Sequence, residues 1–212
     1  MPTGEPTGLV PGGRGDRGAP PSAPAASQLD WKLNLRTVLS KIEGMPVLKI
    51  VTYGDPVLTR RAEPVKDIND DIRALAHNMV LTMHAAPGIG LAAPQVSVSR
   101  RVITVDLSVG EHPEELHILV NPEIVEKEGE VYTEEGCLSV PGIEEKVRRP
   151  AKVKVRGLDL EGREKAITAE GTLARAFCHE IDHINGRLFI ENLTPLKKAL
   201  VKKRLKKQLE SD

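Results

Sequence analysis

Two histidines four residues apart constrain this chain more than any other feature of its sequence. The run His179–His183 reads His-Glu-Ile-Asp-His. Residues four apart lie on one face of an α-helix, so a helix here would present both imidazoles to a single metal ion. Glu180 lies beside them, where a carboxylate could take a proton from a metal-bound water. A chance occurrence of this short pattern on a solvated helix face is the competing interpretation.

The flanking residues favour a helix with one buried face. Apolar residues repeat at helical spacing through this stretch, which predicts an amphipathic helix. Gly186 follows as a helix stop. The two histidines border the apolar stripe, as partly buried ligands would. The stripe consists of Leu173, Phe177, Ile181 and Ile184.

The third ligand decides which kind of metal site this is. In one large group of metalloproteases a third histidine lies six residues past the second, but Phe189 stands at that position. Glu191 is only eight residues past His183, closer than the glutamate ligand of thermolysin-like proteases usually lies. These mismatches count against a zinc endopeptidase, which we keep as the alternative function.

A cysteine upstream is the better candidate for the third ligand. Cys137 follows Gly136 in the run Glu135–Ser139, which reads Glu-Gly-Cys-Leu-Ser. The chain has two cysteines and no secretory signal, so we expect reduced thiols. Cys178 would point about 100° away from His179 on the helix, which favours a small buried hydrophobic role for it. A metal held by Cys137 and the two histidines would keep a fourth position open for water.

A structural metal site without turnover is a further alternative. Such zinc sites generally close with four protein ligands, and the sequence near these motifs offers no evident fourth cysteine or histidine. Three other histidines remain as candidates, and for each a surface or packing role is the favoured interpretation. They are His84, His112 and His117.

A third segment is rich in small residues. Gly88–Gln95 reads Gly-Ile-Gly-Leu-Ala-Ala-Pro-Gln, a composition that excludes an ordinary helix or strand interior. The glycines would let a ligand backbone come close, so an extended peptide could pair with this edge. A tight packing loop between helix and strand is the competing interpretation. A phosphate loop is excluded, because no Lys-Ser/Thr pair follows Gly90.

The three segments together resemble peptide deformylase, the enzyme that removes the N-formyl group from newly made bacterial proteins. That family carries GxGLAAPQ, EGCLS and HExDH in this order, and all three stand intact here. The resemblance runs from about Met45 to about Leu200. It implies Fe²⁺ as the working ion, whereas the ligand chemistry alone also admits Zn²⁺, Co²⁺ or Ni²⁺.

The resemblance implies a role for each matching residue. Glu180 would act as general base and then as general acid, so that hydroxide attacks the formyl carbon and formate is released. The Gln95 side-chain amide and the Leu138 N–H would form the oxyanion hole. The metal ligands would be Cys137, His179 and His183, and the substrate backbone would lie along Gly88, Ile89 and Gly90.

An apolar pocket for methionine is also implied beside the metal. Ile89 and the helix turn before His179 are candidates to line it. Arg175 lies one turn before His179, and the sequence leaves open whether it faces the pocket or solvent. Glu144 stands where some relatives carry a basic residue, so the sequence does not predict which peptides are preferred beyond the first residue.

Composition indicates one enzyme-sized domain behind a different N-terminal segment. The 212 residues are 40% apolar with a formal net charge of zero, which fits one substantial core and argues against general nucleic-acid binding. The first 29 residues hold six prolines and six glycines. We therefore predict a disordered or extended segment over residues 1–44 and the catalytic domain over 45–212. A short helix at Trp31–Ile42 and initiation at Met45 are further hypotheses.

The order of predicted elements is typical of an α+β domain. Asp67 can cap a helix whose apolar face runs through Ile68–Met83. The resemblance implies an initial strand at Val47–Val51 and antiparallel sheets packed around a central HExxH metal-binding helix. Further strands are predicted at Val102–Leu107, His117–Val120, Glu123–Thr133, Ala151–Leu158 and Glu164–Ala169.

The C-terminal stretch from Pro195 is basic, with seven Lys or Arg against two acids. Its apolar residues recur at roughly helical spacing, which fits a solvated surface helix or a helix that docks on ribosomal RNA. No run of about 18 apolar residues exists, so no membrane span is predicted. With nascent formyl-methionyl peptides as the implied substrate, we expect a cytoplasmic monomer.

Overall fold

Seven strands and three α-helices form the part of the chain that the computed structural model describes, residues 47–86 and 88–210. The predictions made for residues 1–46 lie outside the described residues. The helices are α1 (Asp70–Ala85), α2 (Gly171–Ile184) and α3 (Pro195–Leu209), and the strands are β1 (Gly90–Ala92), β2 (Val102–Val105), β3 (His117–Glu128), β4 (Val131–Glu135), β5 (Glu145–Arg149), β6 (Lys152–Leu158) and β7 (Glu164–Glu170). Short 3-10 turns occupy Pro56–Thr59, Ala93–Val96, Pro113–Glu115 and Phe189–Asn192.

The described strands form two antiparallel sheets. Five of them lie in the order β1-β2-β3-β6-β7, and β4 pairs with β5 in a separate two-stranded sheet. Strand β1 is therefore an edge strand, hydrogen-bonded only to β2, with Leu91 opposite Thr104. The mixture of helices with antiparallel sheets confirms the α+β class.

Helix α2 packs its apolar stripe against the five-stranded sheet. Phe177, Ile181 and Ile184 are buried in one core cluster with residues from the sheet. Burying side chains of this size stabilises the fold by about 1.5–3 kcal/mol each. The helix stops as predicted at Gly186, whose φ is 71°. A Cβ atom there would also lie 2.7 Å from the main-chain carbon of Arg60, so glycine is needed twice over.

Helix α1 begins three residues later than the predicted cap. Asn69, not Asp67, is the N-cap: it is extended, and its side chain accepts a hydrogen bond from the Ile72 N–H at 3.1 Å. Asp70 and Asp71 occupy the first turn, where acidic groups interact favourably with the helix dipole. The apolar face is confirmed, with Ile72, Met79 and Met83 buried.

The strand expected at Val47–Val51 is wrong, since these residues belong to no sheet. Instead, individual N–H groups of this segment donate hydrogen bonds to different elements of the fold. The Leu48 N–H donates to Thr82 Oγ1 at 2.9 Å, and the Val51 N–H donates to the Gln95 carbonyl at 2.8 Å. The segment is apolar because it packs between α1 and the 3-10 turn at Ala93–Val96, not because it pairs with another strand in a sheet.

Strand β3 unites two segments that were predicted to be separate. The regular strand is interrupted at Asn121, between the two predicted segments. Here φ is 51°, and the pairing with β6 shifts register between Val120 and Glu123. The strand resumes beyond this irregularity, but it ends at Glu128 and β4 begins only at Val131. The other predicted strands are confirmed to within two residues, whereas β1 and β5 were missed.

Helix α3 is attached mainly through two apolar residues, Val201 and Leu205, which are buried in a second core cluster. Glu191 ties it further to the preceding 3-10 turn by ion pairs to Lys198 and Lys202. Its leucines at 196, 200 and 209 are exposed. Among the described helices, none combines the length and apolar character that crossing a membrane requires.

Candidate metal centre

An open cavity of about 500 Å³ lies between the free edge of β1, the segment after β4 and helix α2. All three sequence motifs contribute to its wall. Arg175 also lines it and donates from Nη1 to the Glu134 carbonyl at 2.8 Å, which answers the question that the sequence left open. Residues from the motifs in the wall are Gly88, Ile89, Gly90, Gln95, Glu135, Gly136, Cys137, Leu138, His179 and Glu180.

Cys137 and His179 line this cavity and His183 is buried beside them, and the ligand atoms of the three side chains all lie within 4.8 Å of one another. The Cys137 Sγ is 3.2 Å from Nε2 of His183, which is 3.3 Å from Nε2 of His179. The histidines lie one turn apart on α2, and the cysteine is aimed from the turn after β4. In the described part of the chain, no fourth His, Cys, Asp or Glu joins this group.

The two imidazoles differ in their surroundings. Burial lowers the pKa of His183 well below its ordinary value, and the charges of His179 and Arg149 act the same way. Burial thus favours the neutral form of His183, which is the form in which an imidazole binds a metal. Burial also lowers the pKa of His179, but its Cys137 and Glu135 partners outweigh burial and raise it. Nδ1 of His179 is 3.1 Å from Oε2 of Glu135, which fixes the ring and leaves Nε2 directed at the group.

Glu180 is buried with an unused oxygen. Glu180 is 3% exposed, and its Oε2 has no hydrogen-bond partner among the described residues. Burial raises the pKa of Glu180 to about 7, with the charge of Glu135 adding to this and those of His179 and Arg149 opposing it. A buried carboxyl group without partners is costly, so its presence beside a metal-binding group indicates a chemical use.

Two hydrogen-bond donors converge on the same wall. The Gln95 side chain is fixed, since its Oε1 accepts from the Ala92 N–H at 2.8 Å and its Nε2 donates to Ser139 Oγ at 3.3 Å. The same Nε2 lies 3.7 Å from Cys137 Sγ. The Leu138 N–H has no acceptor among the described residues, which leaves it available to a ligand.

Strand β1 offers main-chain groups along the cavity. The Ala92 N–H points away from β2, toward Gln95, and Gly90 faces the same way because strand residues two apart share an orientation. A Cβ atom on Gly88 would lie 2.9 Å from Cδ1 of Leu138, so the segment also packs closely. The glycine-rich segment is therefore a tight packing element with an outer edge that pairs with no other described strand, and the pairing of a peptide with this edge stays a prediction.

Comparison with known proteins decides the family. A sequence profile of the polypeptide deformylase family matches residues 47–199. The chain belongs to this family. The peptide deformylase of Thermodesulfovibrio yellowstonii is 49% identical over 162 residues, which are 76% of this chain and 98% of that protein.

Solved structures agree with the family assignment. A peptide deformylase from Legionella pneumophila has a TM-score of 0.72 and 42% identity over 78% of this chain and 98% of its own. A peptide deformylase from Synechococcus elongatus, in complex with actinonin, has a TM-score of 0.71 and 37% identity over 76% and 89%. Membership confirms the function that the resemblance implied: the chain is a hydrolase that removes the N-formyl group from nascent polypeptides. The family is metal-dependent, and the Cys137 group can hold a metal.

The competing ligand candidates of this deformylase lie elsewhere. His84 Nε2 is 2.8 Å from the Asp106 carboxylate, His112 is exposed, and the His117 ring packs 5.6 Å from the Phe177 ring. Cys178 is 3% exposed, which confirms its predicted buried position, and burial raises the pKa of its thiol to about 11. Glu191 is occupied by two lysines of α3.

The sequence did not indicate one group of the deformylase site. Arg149 is 5% exposed and binds the carboxylates of both Glu135 and Asp182. Only the period-2 alternation of β5 carried a signal, because it places Arg149 on the same buried face as Val147. A charged side chain at a buried strand position requires partners of opposite charge. The partners of Arg149, Glu135 and Asp182, come from other segments of the chain.

Proposed function

We propose that deformylation of N-terminal formyl-methionine takes place at the Cys137, His179 and His183 group, with these three side chains as metal ligands. One observation carries the proposal: the buried Glu180 carboxylate, with an unpartnered oxygen, lies on the cavity wall beside that group. Metal-dependent amide hydrolysis uses a metal-binding group together with a proton acceptor, and here the two are adjacent.

The donor set fits a divalent transition metal. One thiolate and two imidazoles suit iron, zinc, cobalt or nickel, and three protein ligands keep a position open, as catalytic sites do. We propose Fe²⁺ as the working ion, with Zn²⁺, Ni²⁺ or Co²⁺ as substitutes. When bound, such an ion supplies Lewis acidity and lowers the pKa of water from 15.7 toward about 7.

Glu180 handles the proton in this proposal. Its carboxylate accepts a proton from the attacking water, and the resulting hydroxide forms a bond to the formyl carbon. Negative charge develops on the formyl oxygen, where the Gln95 amide and the Leu138 N–H donate to it. The C–N bond then breaks, Glu180 gives its proton to the departing amine, and formate and a free N-terminus remain.

The open edge of β1 would hold the substrate backbone. An extended peptide can add a strand to such an edge, with main-chain hydrogen bonds to Gly88–Gly90. Ile89 and the α2 turn around Ala176 line the cavity and would contact the methionine side chain. Actinonin is bound by the Synechococcus elongatus relative, and we propose that it occupies this cavity too.

The decisive experiment measures formate release from formyl-Met-Ala-Ser by enzyme purified without oxygen, with bound metal quantified on the same sample. Glu180→Ala should retain its metal and lose about 100- to 10,000-fold in kcat, the usual contribution of a general acid–base. Glu128→Ala is the control, because Glu128 is an exposed glutamate of β3 outside the cavity wall. Turnover by metal-loaded Glu180→Ala at the control rate would remove Glu180 from the mechanism.

We further propose that α3 docks on ribosomal RNA, while the enzyme itself acts as a cytoplasmic monomer. Lys203 and Arg204 are exposed on α3 and form no ion pair with the described residues. Reversing both charges to Glu should weaken salt-sensitive ribosome binding and leave tripeptide deformylation unchanged. Charge reversal at Lys152 and Lys154, two lysines of β6, is the control. Equal ribosome affinity in both double variants would reject the docking role.

A further inference from the structure

One buried guanidinium connects the two segments that supply the candidate ligands. Arg149, on β5, donates from Nε and Nη2 to the two oxygens of Glu135, at 2.7 and 2.9 Å. Its Nη1 donates to Oδ2 of Asp182 at 2.6 Å. Glu135 lies two residues before Cys137, and Asp182 directly precedes His183. The guanidinium therefore bridges the cysteine-bearing turn and the histidine-bearing helix.

Each carboxylate has a second contact that extends the bridge. Oε2 of Glu135 also faces Nδ1 of His179 at 3.1 Å, so the carboxylate orients that imidazole while it is itself held by Arg149. Oδ2 of Asp182 also accepts from Nδ2 of Asn192 at 3.1 Å. Because these contacts share oxygens, a shift of the guanidinium would be passed to both sides of the metal-binding group.

Burial makes this arrangement stiff. The side chains of Arg149 and Glu135 are 5% and 3% exposed, and that of Asp182 is 17% exposed. A guanidinium presents its N–H groups in a fixed planar fork, whereas an ammonium is a point charge on a flexible stem. Ionic hydrogen bonds are short and strong in such surroundings, and loss of one partner leaves an uncompensated buried charge.

We propose that Arg149 is a positioning residue that sets the distance between the Cys137 thiolate and the two imidazoles, and through it the hold on the metal. The inference rests on the proposed function for the identity of the metal-binding group. Arg149 touches neither the cavity nor the reacting atoms, so it acts through Glu135 and Asp182. Its substitution should therefore change metal retention and coordination geometry before it changes the chemical step.

The test uses the full chain loaded with Co²⁺. Arg149→Lys keeps the positive charge but replaces the planar guanidinium with a single ammonium group. That group cannot reproduce the three hydrogen bonds to Glu135 and Asp182 in their present geometry. We expect Co²⁺ to be released to an excess of chelator about 10- to 100-fold faster, the usual effect of losing an outer partner of a metal ligand. The thiolate-to-cobalt absorption should shift, and formate release per bound metal should fall much less than retention does.

Arg148→Lys is the matched control. It changes the neighbouring arginine of β5, whose side chain is exposed and paired with Glu130 at the surface. This variant should release Co²⁺ at the wild-type rate. Asp182→Asn removes the negative charge from only one arm of the bridge and should accelerate release to an intermediate degree. If Arg149→Lys does not fold, the release rate of Asp182→Asn tests the inference in its place, and a wild-type rate there would overturn it.

Wild-type release and absorption in a folded Arg149→Lys variant would overturn the inference. Lower formate release per bound metal with unchanged metal retention would overturn it as well, because Arg149 would then act on the chemical step. The metal measurements do not depend on deformylation. Faster Co²⁺ release from Arg149→Lys would therefore support the positioning role even if the wild-type chain released no formate, a result that would defeat only the proposed function.

Discussion

The carboxylate of Glu180 packs directly on Gly90. A Cβ atom built on Gly90 would overlap Oε1 of Glu180 and lie 2.9 Å from its Cδ and 3.0 Å from its Cγ. Real Cβ atoms do not make such contacts, so any side chain at position 90 displaces either the glutamate or the β1 edge. The glycine-rich segment thus determines where the proposed base lies.

Gly90→Ala should slow deformylation without removing the metal. A displacement of about 1 Å at a reacting group can reduce a rate about 100-fold, and we expect a loss in kcat of that order with formyl-Met-Ala-Ser. Gly162→Ala is the control. It places a methyl at a residue with φ 79° and no neighbour within 4 Å, so it strains the backbone far from the cavity. Equal kcat in both variants would show that Glu180 tolerates displacement.

Gln95→Leu should remove one oxyanion donor at similar volume. We expect kcat to fall about 100- to 1,000-fold. The change also leaves the Ala92 N–H, now bonded to Oε1, without its acceptor, which should reduce the free energy of unfolding by about 1–3 kcal/mol. Formate release and urea unfolding on the same preparation separate the two effects. A loss of stability with kcat unchanged would exclude Gln95 as a donor to the transition state.

The sequence predicted the meeting of chemically active residues better than it predicted the strands. His179 and His183 are four residues apart, so a helix directs both imidazoles toward one metal ion. The apolar stripe around them predicted that helix. The convergence of Cys137 on the pair followed from ligand chemistry, because two imidazoles need a third donor. These constraints are local or chemical, and both can be read from residue types and spacing.

The remaining features depend on partners far away in the chain. Val47–Val51 has the residue types of a strand, but a strand requires a neighbouring ladder, and the Val51 N–H is bonded to Gln95 instead. The alternation of β5 places Arg149 on the buried face of its strand, but it does not identify Glu135 and Asp182 as the partners. No sequence pattern indicates which distant group either segment bonds to.

Asn121 should stabilise the fold through its side chain and its unusual backbone together. Its φ is 51°, and its side chain accepts from the Val65 N–H at 2.9 Å and donates to the Val65 carbonyl at 2.8 Å. Asn121→Ala loses both hydrogen bonds, about 1 kcal/mol each, and adds a left-handed backbone cost of roughly 1–2 kcal/mol. Asn121→Gly loses the bonds but tolerates the backbone.

The order of these two variants is the test. In urea unfolding, Asn121→Gly should be less destabilised than Asn121→Ala, although alanine is ordinarily the better residue within regular structure. Both should keep wild-type kcat, because Asn121 lies outside the cavity wall. An alanine variant at least as stable as the glycine variant would mean that the left-handed backbone relaxes on substitution.

Asp106 should make stability depend on pH. Its side chain is 1% exposed, and burial alone would raise the pKa of this carboxyl group. Hydrogen bonds from the Ser108 hydroxyl, the Gly110 and Ser108 N–H groups and His84 outweigh burial and lower the pKa below its ordinary value. A lowered folded-state pKa gives stability that is complete above the unfolded-state value, about 4, and is lost as pH falls through the folded-state value.

Asp106→Asn removes this dependence, because its side chain carries no charge at any pH. The wild type should therefore exceed the variant in free energy of unfolding by about 1–3 kcal/mol at pH 6, since one amide N–H of the loop loses its acceptor. That difference should narrow as the pH is lowered from about 5 toward 3, because Asp106 takes up a proton in the unfolded wild type before it does so in the folded protein. Urea unfolding of both proteins across this range measures the gap, and other titrating groups cancel in the difference. Asp67→Asn, at an exposed carboxylate that forms no ion pair with the described residues, should show almost no gap at either end of the range. A gap for Asp106→Asn that stays constant down to pH 3 would mean that the carboxyl group keeps its ordinary pKa and stabilises the loop only by its shape.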